Sequence, residues 1–175
     1  MYFRQLIAET KKAATKPNDK TAIAHAEYEG EYQDNEYTRK SYPDAFKDKH
    51  EFAKHYNKAK VVHRKHLDDV DNSSTGGIEK GDHEEAFARF HHSRWEQGVL
   101  KKEKHARAYY DKMSKAALAG KLAPTIVGVH KDEKTGKITH HLISGNTRAM
   151  IHKAHGIPIP TIYIPLKGRH VPQDD

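Results

Sequence analysis

Hydrophobic and polar positions divide the chain into stretches of different periodicity. From Asp44, just after Pro43, Phe52, Tyr56, Ala59, His63 and Leu67 recur at spacings of three and four, which predicts a helix of about six turns. Val70–Gly81 is rich in Ser, Gly and Asp and reads as a loop. Asp82 is placed to cap the next helix, with Glu85 three positions on. No proline interrupts His83–Ala119, and Ala106, Tyr109, Tyr110, Met113 and Ala117 share one face of its second half. Gly98 leaves open whether this is one helix or two, and Gly120 stops it. A different grammar follows. β-branched Thr125–Val129 comes after Pro124, Lys131–Lys137 is a charged turn, and Ile138–Ile143 is a second strand, so a β-hairpin is expected. Thr147–His155 is helical again, Gly156 ends it, and Ile157–Pro165 supplies a third strand. The fold class predicted is α+β, a helical N-terminal region followed by a small mixed α/β core.

Three regions are expected: a polar N-terminal arm at 1–43, a helical region at 44–105 and the α/β core at 106–175. The arm reading rests on Pro17, Asn18 and Asp19 and on the acidic run Glu27, Glu29, Glu31, Asp34 and Glu36, dotted with tyrosines. A short helix at Tyr2–Ala14 carries Phe3, Leu6 and Ile7 on one side.

Charge and composition narrow the chemistry. Lys and Arg number 31 against 24 Asp and Glu, a formal net charge of +7 before any of 15 histidines titrates, which favours polyanionic partners. The absence of cysteine removes disulfides, thiolate metal sites and cysteine nucleophiles. No apolar run approaches the roughly 20 residues of a membrane span, and Met1–Glu9 is too short and charged for a secretory signal. A soluble cytoplasmic protein with no membrane partner is the expectation.

The chemistry concentrates where a strand runs into a helix at Gly145-Asn146-Thr147-Arg148. Such a junction leaves backbone N–H groups at the helix start without intrahelical partners, and a guanidinium stands beside them. Glycine lets a phosphate approach closely, Asn146 or Thr147 can cap the helix, and Arg148 can hold two phosphate oxygens. His140 and His141 precede the junction on the strand. Alternation points one of the two to the ligand side, and an imidazole suits proton transfer near neutrality.

Leu142–Arg148 (LISGNTR), followed by Ala149–Ile164 (AMIHKAHGIPIPTIYI) and preceded by Leu122–Val129 (LAPTIVGV), resembles the ParB/sulfiredoxin superfamily over about the last third of the chain. The resemblance implies a small α/β domain whose Gly-x-x-Arg loop holds nucleotide or nucleic-acid phosphates, here Ser144, Gly145, Asn146, Thr147 and Arg148. It further implies that the preceding helix contributes a basic residue and hydroxyls, the matching positions being Arg107, Tyr110 and Ser114. ATP or CTP with Mg2+ is the cofactor implied. Sulfiredoxins place a catalytic Cys where this chain has Asn146, which excludes sulfinic-acid reduction. ParB partition proteins continue into a helix-turn-helix, which does not fit the short remainder here. Nuclease or NTP-dependent phosphotransferase chemistry is left, with His140, His141 and Arg148 as catalytic residues and DNA as the favoured nucleic acid. A non-catalytic nucleic-acid-binding protein and a phage-encoded interaction protein with a host or virion partner are the alternatives.

Other signals point elsewhere. Asp71–Asp82 matches part of an EF-hand loop, with Asp71, Ser73 and Thr75 at ligand places and Gly76 at the turn, so calcium is considered there. His63 with His66, and His91 with His92, read as surface histidines, and Phe87, Phe90 and Trp95 as core anchors. Ile7-Ala8-Glu9 looks like the cleavage signal of capsid-targeting peptides in phage internal head proteins.

Overall fold

The structure, a computed structural model, describes residues 18–96, 98 and 102–173. Helix α1 (Asn18–Glu27) runs into a π-helical turn (Tyr28–Gln33), followed by α2 (Glu36–Ser41), α3 (Lys49–Lys58) and a three-residue strand β1 (Val62–Arg64). After a long loop come α4 (His83–Glu96) and α5 (Glu103–Leu118), then β2 (Thr125–Lys131), β3 (Ile138–Ser144), α6 (Asn146–His155) and β4 (Ile159–Leu166). The strands form one mixed sheet in the order β1-β4-β2-β3. The β2–β3 hairpin is antiparallel, β4 lies parallel to β2, and β1 joins β4 antiparallel. The fold is α+β, with helices dominating the N-terminal half.

The sheet is buried on both faces. Ile126, Ile143, Ile162, Ile164 and Leu166 pack with Ala24, Tyr32, Tyr42, Phe46, Phe52 and Tyr56 from the N-terminal helices. Val127, Leu142 and Ile159 face the other way, against Leu67, Val70 and Ala149. A second helical cluster joins Phe87, Phe90, Tyr109, Tyr110 and Met113 to Met150, Ile151 and Ala154 of α6. Val127 pairs with Leu142 while its neighbour Ile126 pairs with Ser144, so a bulge at the end of β3 turns Ser144 toward the N-terminal layer.

Several expectations change here. Residues 18–43 are not a detached arm: Tyr32 and Tyr42 are buried, and the Tyr32 hydroxyl donates to the Tyr42 carbonyl at 2.7 Å. The acidic, tyrosine-rich composition is that of an amphipathic cover on one sheet face, so apolar packing crosses the expected boundary at 43/44. The helix expected from Asp44 to Leu67 is ten residues long. Asp48 caps it, accepting from the amides of His50 and Glu51 at 3.0 and 2.9 Å, and it ends at Ala59. Val61 and Val62 then favour extended backbone, and β1 gains ladder bonds to β4 that a helix would forgo. His83–Ala119 is two helices. The Tyr2–Ala14 helix and the Ile7-Ala8-Glu9 signal lie outside the described residues.

Candidate functional site

Gly145 stands at the helix start with φ +102°, a left-handed conformation, and a Cβ there would lie 2.8 Å from Thr125 Cγ2 and 3.0 Å from the Thr125 backbone. Only glycine lets β3 turn so sharply into α6 beside β2. Gly145 also brings no side-chain cap to α6. The expected junction is therefore present, but its side chains are already engaged.

Arg148 is buried, 5% exposed, and its guanidinium closes on a residue 121 positions away. Arg148 Nη1 donates to Glu27 Oε1 at 2.6 Å, and Nη2 donates to Ser144 Oγ at 3.0 Å and to the Pro124 carbonyl at 3.3 Å. Ser144 Oγ donates to the second Glu27 oxygen. The Glu27 carboxylate, 3% exposed, thus bridges a guanidinium and a hydroxyl in front of the turn. Both partners of this ion pair arrive from different layers: Glu27 from the last residue of α1, Arg148 from the first turn of α6. The guanidinium expected to await a ligand holds an internal oxyanion.

A second carboxylate belongs to this cluster. Glu31 lies in the π-helical turn, and burial together with the Glu27 charge pushes its pKa up to about 7, against the opposing pull of Arg148 and Arg94. It is the acid here whose titration falls near neutrality. Sequence reading missed it: Glu27 and Glu31 sit four apart in the acidic run, a spacing compatible with one helix face, but nothing local singles them out from Glu29 or Glu36.

The other expected site residues lie in different surroundings. Asn146 bolts a loop in place, its Oδ1 accepting from Ser74 N at 2.7 Å and its Nδ2 donating to the Asn72 carbonyl at 3.1 Å. Thr147 is half-buried in the first turn of α6. His141 faces the N-terminal layer, its Nε2 3.1 Å from Thr38 Oγ1 and its ring packed against Tyr37 and Tyr42. Burial pushes its pKa down to about 4, with Asp71 opposing and His170 reinforcing the shift. His140 lies on the opposite side of the strand, its ring 5.7 Å from that of Tyr163. As placed, the two histidines have aromatic and hydroxyl partners of their own. Arg107 is held by Glu84 at 2.9 and 3.1 Å, with its guanidinium 3.6 Å over the Phe87 ring. Tyr110 is buried in the α4–α5–α6 cluster, where its hydroxyl has no hydrogen-bond partner among the described residues and burial raises its pKa to about 12. Ser114 is half-buried one turn further along α5.

In the Asp71–Asp82 loop, Asp71 exchanges backbone bonds with β3 at 2.9 and 2.8 Å, and Asp82 Oδ2 accepts from the Glu79 amide. The element before the loop is β1 rather than a helix, so the helix-loop-helix context of an EF-hand is missing. Among the described residues no three His, Asp or Glu side chains gather as metal ligands. Phe87 and Phe90 are core anchors as expected, whereas Trp95 is 56% exposed because it lies at the far end of α4, past the reach of the cluster. No helix among the described residues is long and apolar enough to cross a membrane. Comparison with protein-family models, curated proteins and solved structures gives no match for this chain.

Proposed function

We propose that this protein recognises a phosphate of a nucleotide or of DNA at the Gly145–Arg148 junction, as a ParB/sulfiredoxin-like domain would, with phosphoryl transfer or phosphodiester hydrolysis as the reaction. One observation carries the reading. A carboxylate already spans the Arg148 guanidinium and the Ser144 hydroxyl, so this pair of donors has the geometry to take two oxygens of one anion. A polyphosphate such as ATP or CTP fits only once Glu27 has left, because its charge would otherwise meet that carboxylate in a buried setting.

For a reaction, Arg148 would stabilise charge developing on phosphoryl oxygens. Beside the expected bases His140 and His141, Glu31 is a further candidate proton acceptor, since its charge couples to Arg148 and its pKa is pushed up to about 7.

The test compares wild type with Glu27→Gln in thermal unfolding with ATP, CTP or pyrophosphate. Glu27→Gln should be protected at least tenfold lower ligand concentration, and the neutral pair Glu27→Gln with Arg148→Gln should lose that protection. Absence of protection in both Glu27→Gln and wild type would refute the phosphate site.

A second reading is favoured by the distribution of charge. Residues 101–175 contain 14 Lys and Arg against six Asp and Glu, whereas residues 1–100 contain 17 against 18. The whole excess of positive charge lies in the C-terminal part, as suits a non-catalytic protein that binds nucleic acid through its surface. DNA affinity that falls steeply with salt and is unchanged in the Glu27 and Arg148 variants would select this reading.

A further inference from the structure

Helix α4 and the start of α5 enclose a groove of about 450 Å³, lined by Phe87, His91, Trp95, Glu84, Glu103 and Arg107. Phe87, His91 and Trp95 are four residues apart and form an aromatic ladder along one helix face, with ring centroids 5.6 and 6.2 Å apart. A planar cation already uses the first rung: the Arg107 guanidinium lies 3.6 Å over Phe87 and is held by both oxygens of Glu84. The last rung is open, since Trp95 is the exposed one of the three and indole is the aromatic face that attracts cations most strongly.

The charge around the groove decides what suits that face. Glu84 is matched by Arg107, and Glu96 by His92 when protonated, at 3.3 Å. Among the described residues the ion pair of Glu103 is a distant contact with Arg107 at 3.9 Å, so the groove lining carries two carboxylates against one guanidinium. A phosphate-bearing ligand would meet Glu84 and Glu103, while a cation would be drawn in.

We propose that this groove is a docking subsite for the guanidinium of an arginine side chain presented by a partner protein, stacked on Trp95 with its charge met by Glu103. The subsite is independent of the phosphate reading at Gly145–Arg148 and shares no residue with that junction.

Trp95 is the chain's single tryptophan, so one indole N–H signal in a 15N-labelled sample of the full chain reports on the groove alone. N-acetyl-arginine amide should shift that signal saturably, at concentrations on the order of millimolar for a single exposed cation–aromatic contact. Its neutral citrulline counterpart should shift it several-fold less. Glu103→Gln should weaken the arginine response about threefold or more, as expected for loss of one partly screened charge. Arg107→Gln should strengthen it, because the variant frees the Phe87 face and removes a like charge. Equal responses to arginine and citrulline, no response at all, or a larger response to AMP than to the arginine probe would each overturn the proposal, the last by placing a nucleobase there instead.

Discussion

Glu31 and His141 titrate in opposite senses over overlapping pH windows, so their effects on stability are separated by variants rather than by pH alone. Burial and the neighbouring Glu27 raise the Glu31 pKa from 4.5 to about 7, so the folded chain keeps a proton that the unfolded chain releases. Its contribution is intact below pH 4.5 and is lost as pH rises to about 7. Glu31→Gln should therefore match wild type at pH 4 and exceed it at pH 8 by about 1–3 kcal/mol, read by chemical denaturation at both values. His141 works the other way. Its folded pKa, pushed down to about 4 by burial, means that the unfolded chain takes up a proton first as pH falls below 6.5. The His141 contribution should decline from pH 6.5 to 4, opposite to that of Glu31, so a His141→Gln variant that still folds should gain stability relative to wild type as pH falls through that range.

At the scale of elements, the α6 start is held from outside by the long loop after β1. Asn146 ties the loop to the helix, Lys153 Nζ donates to the Thr75 carbonyl at 3.1 Å, and Arg89 Nη1 donates to the carbonyls of Ser74 and Gly76 at 2.9 and 2.7 Å. Asp71 closes the outer edge of β3 at the same time, which leaves that edge no longer a template for another strand. Asn146→Ala removes two of these bonds and should cost about 1–3 kcal/mol. Hydrogen exchange should show faster opening at Ser74 and its loop neighbours, with little change in the β2–β3 hairpin. The π-helical turn is the other telling element, since it continues the helix that ends in Glu27 and itself carries Glu31.

Across the whole molecule, ion pairs run between the acidic first part of the chain and the basic remainder: Glu27 with Arg148, Glu84 with Arg107, Asp68 with Lys153 and Glu51 with Lys167. The exposed ones are screened and contribute little each. The Glu27–Arg148 pair is different because it is buried. Arg148→Met should destabilise the fold by about 3–5 kcal/mol, since it leaves a carboxylate without its partner, and adding Glu27→Met should recover most of that loss. Guanidinium chloride unfolding of the two variants and the double variant measures the coupling directly. A small coupling would mean that the N-terminal cover is held by Tyr32, Phe46 and Phe52 alone.

Local pattern accounts for a large part of this architecture. The hairpin, the glycine-led helix and the return strand were all readable, because alternation, β-branching and glycine stops are properties of neighbouring residues, whereas Gly98 left open whether His83–Ala119 was one helix or two. The candidate site was readable only in half. Gly145 and Arg148 announce a strand-to-helix turn, yet what the guanidinium touches depends on a glutamate 121 residues earlier. β1 was hidden inside a helical stripe, since three residues cannot express a period and their extended form is fixed by pairing with β4. The chain by itself determined its elements and its charge, since these follow from side-chain shape and residue type. The tertiary structure alone decided that an acidic segment covers the sheet, that Glu27 rather than solvent faces Arg148, and that Trp95 stands outside the core, because each depends on which distant surfaces are pressed together and shed their water.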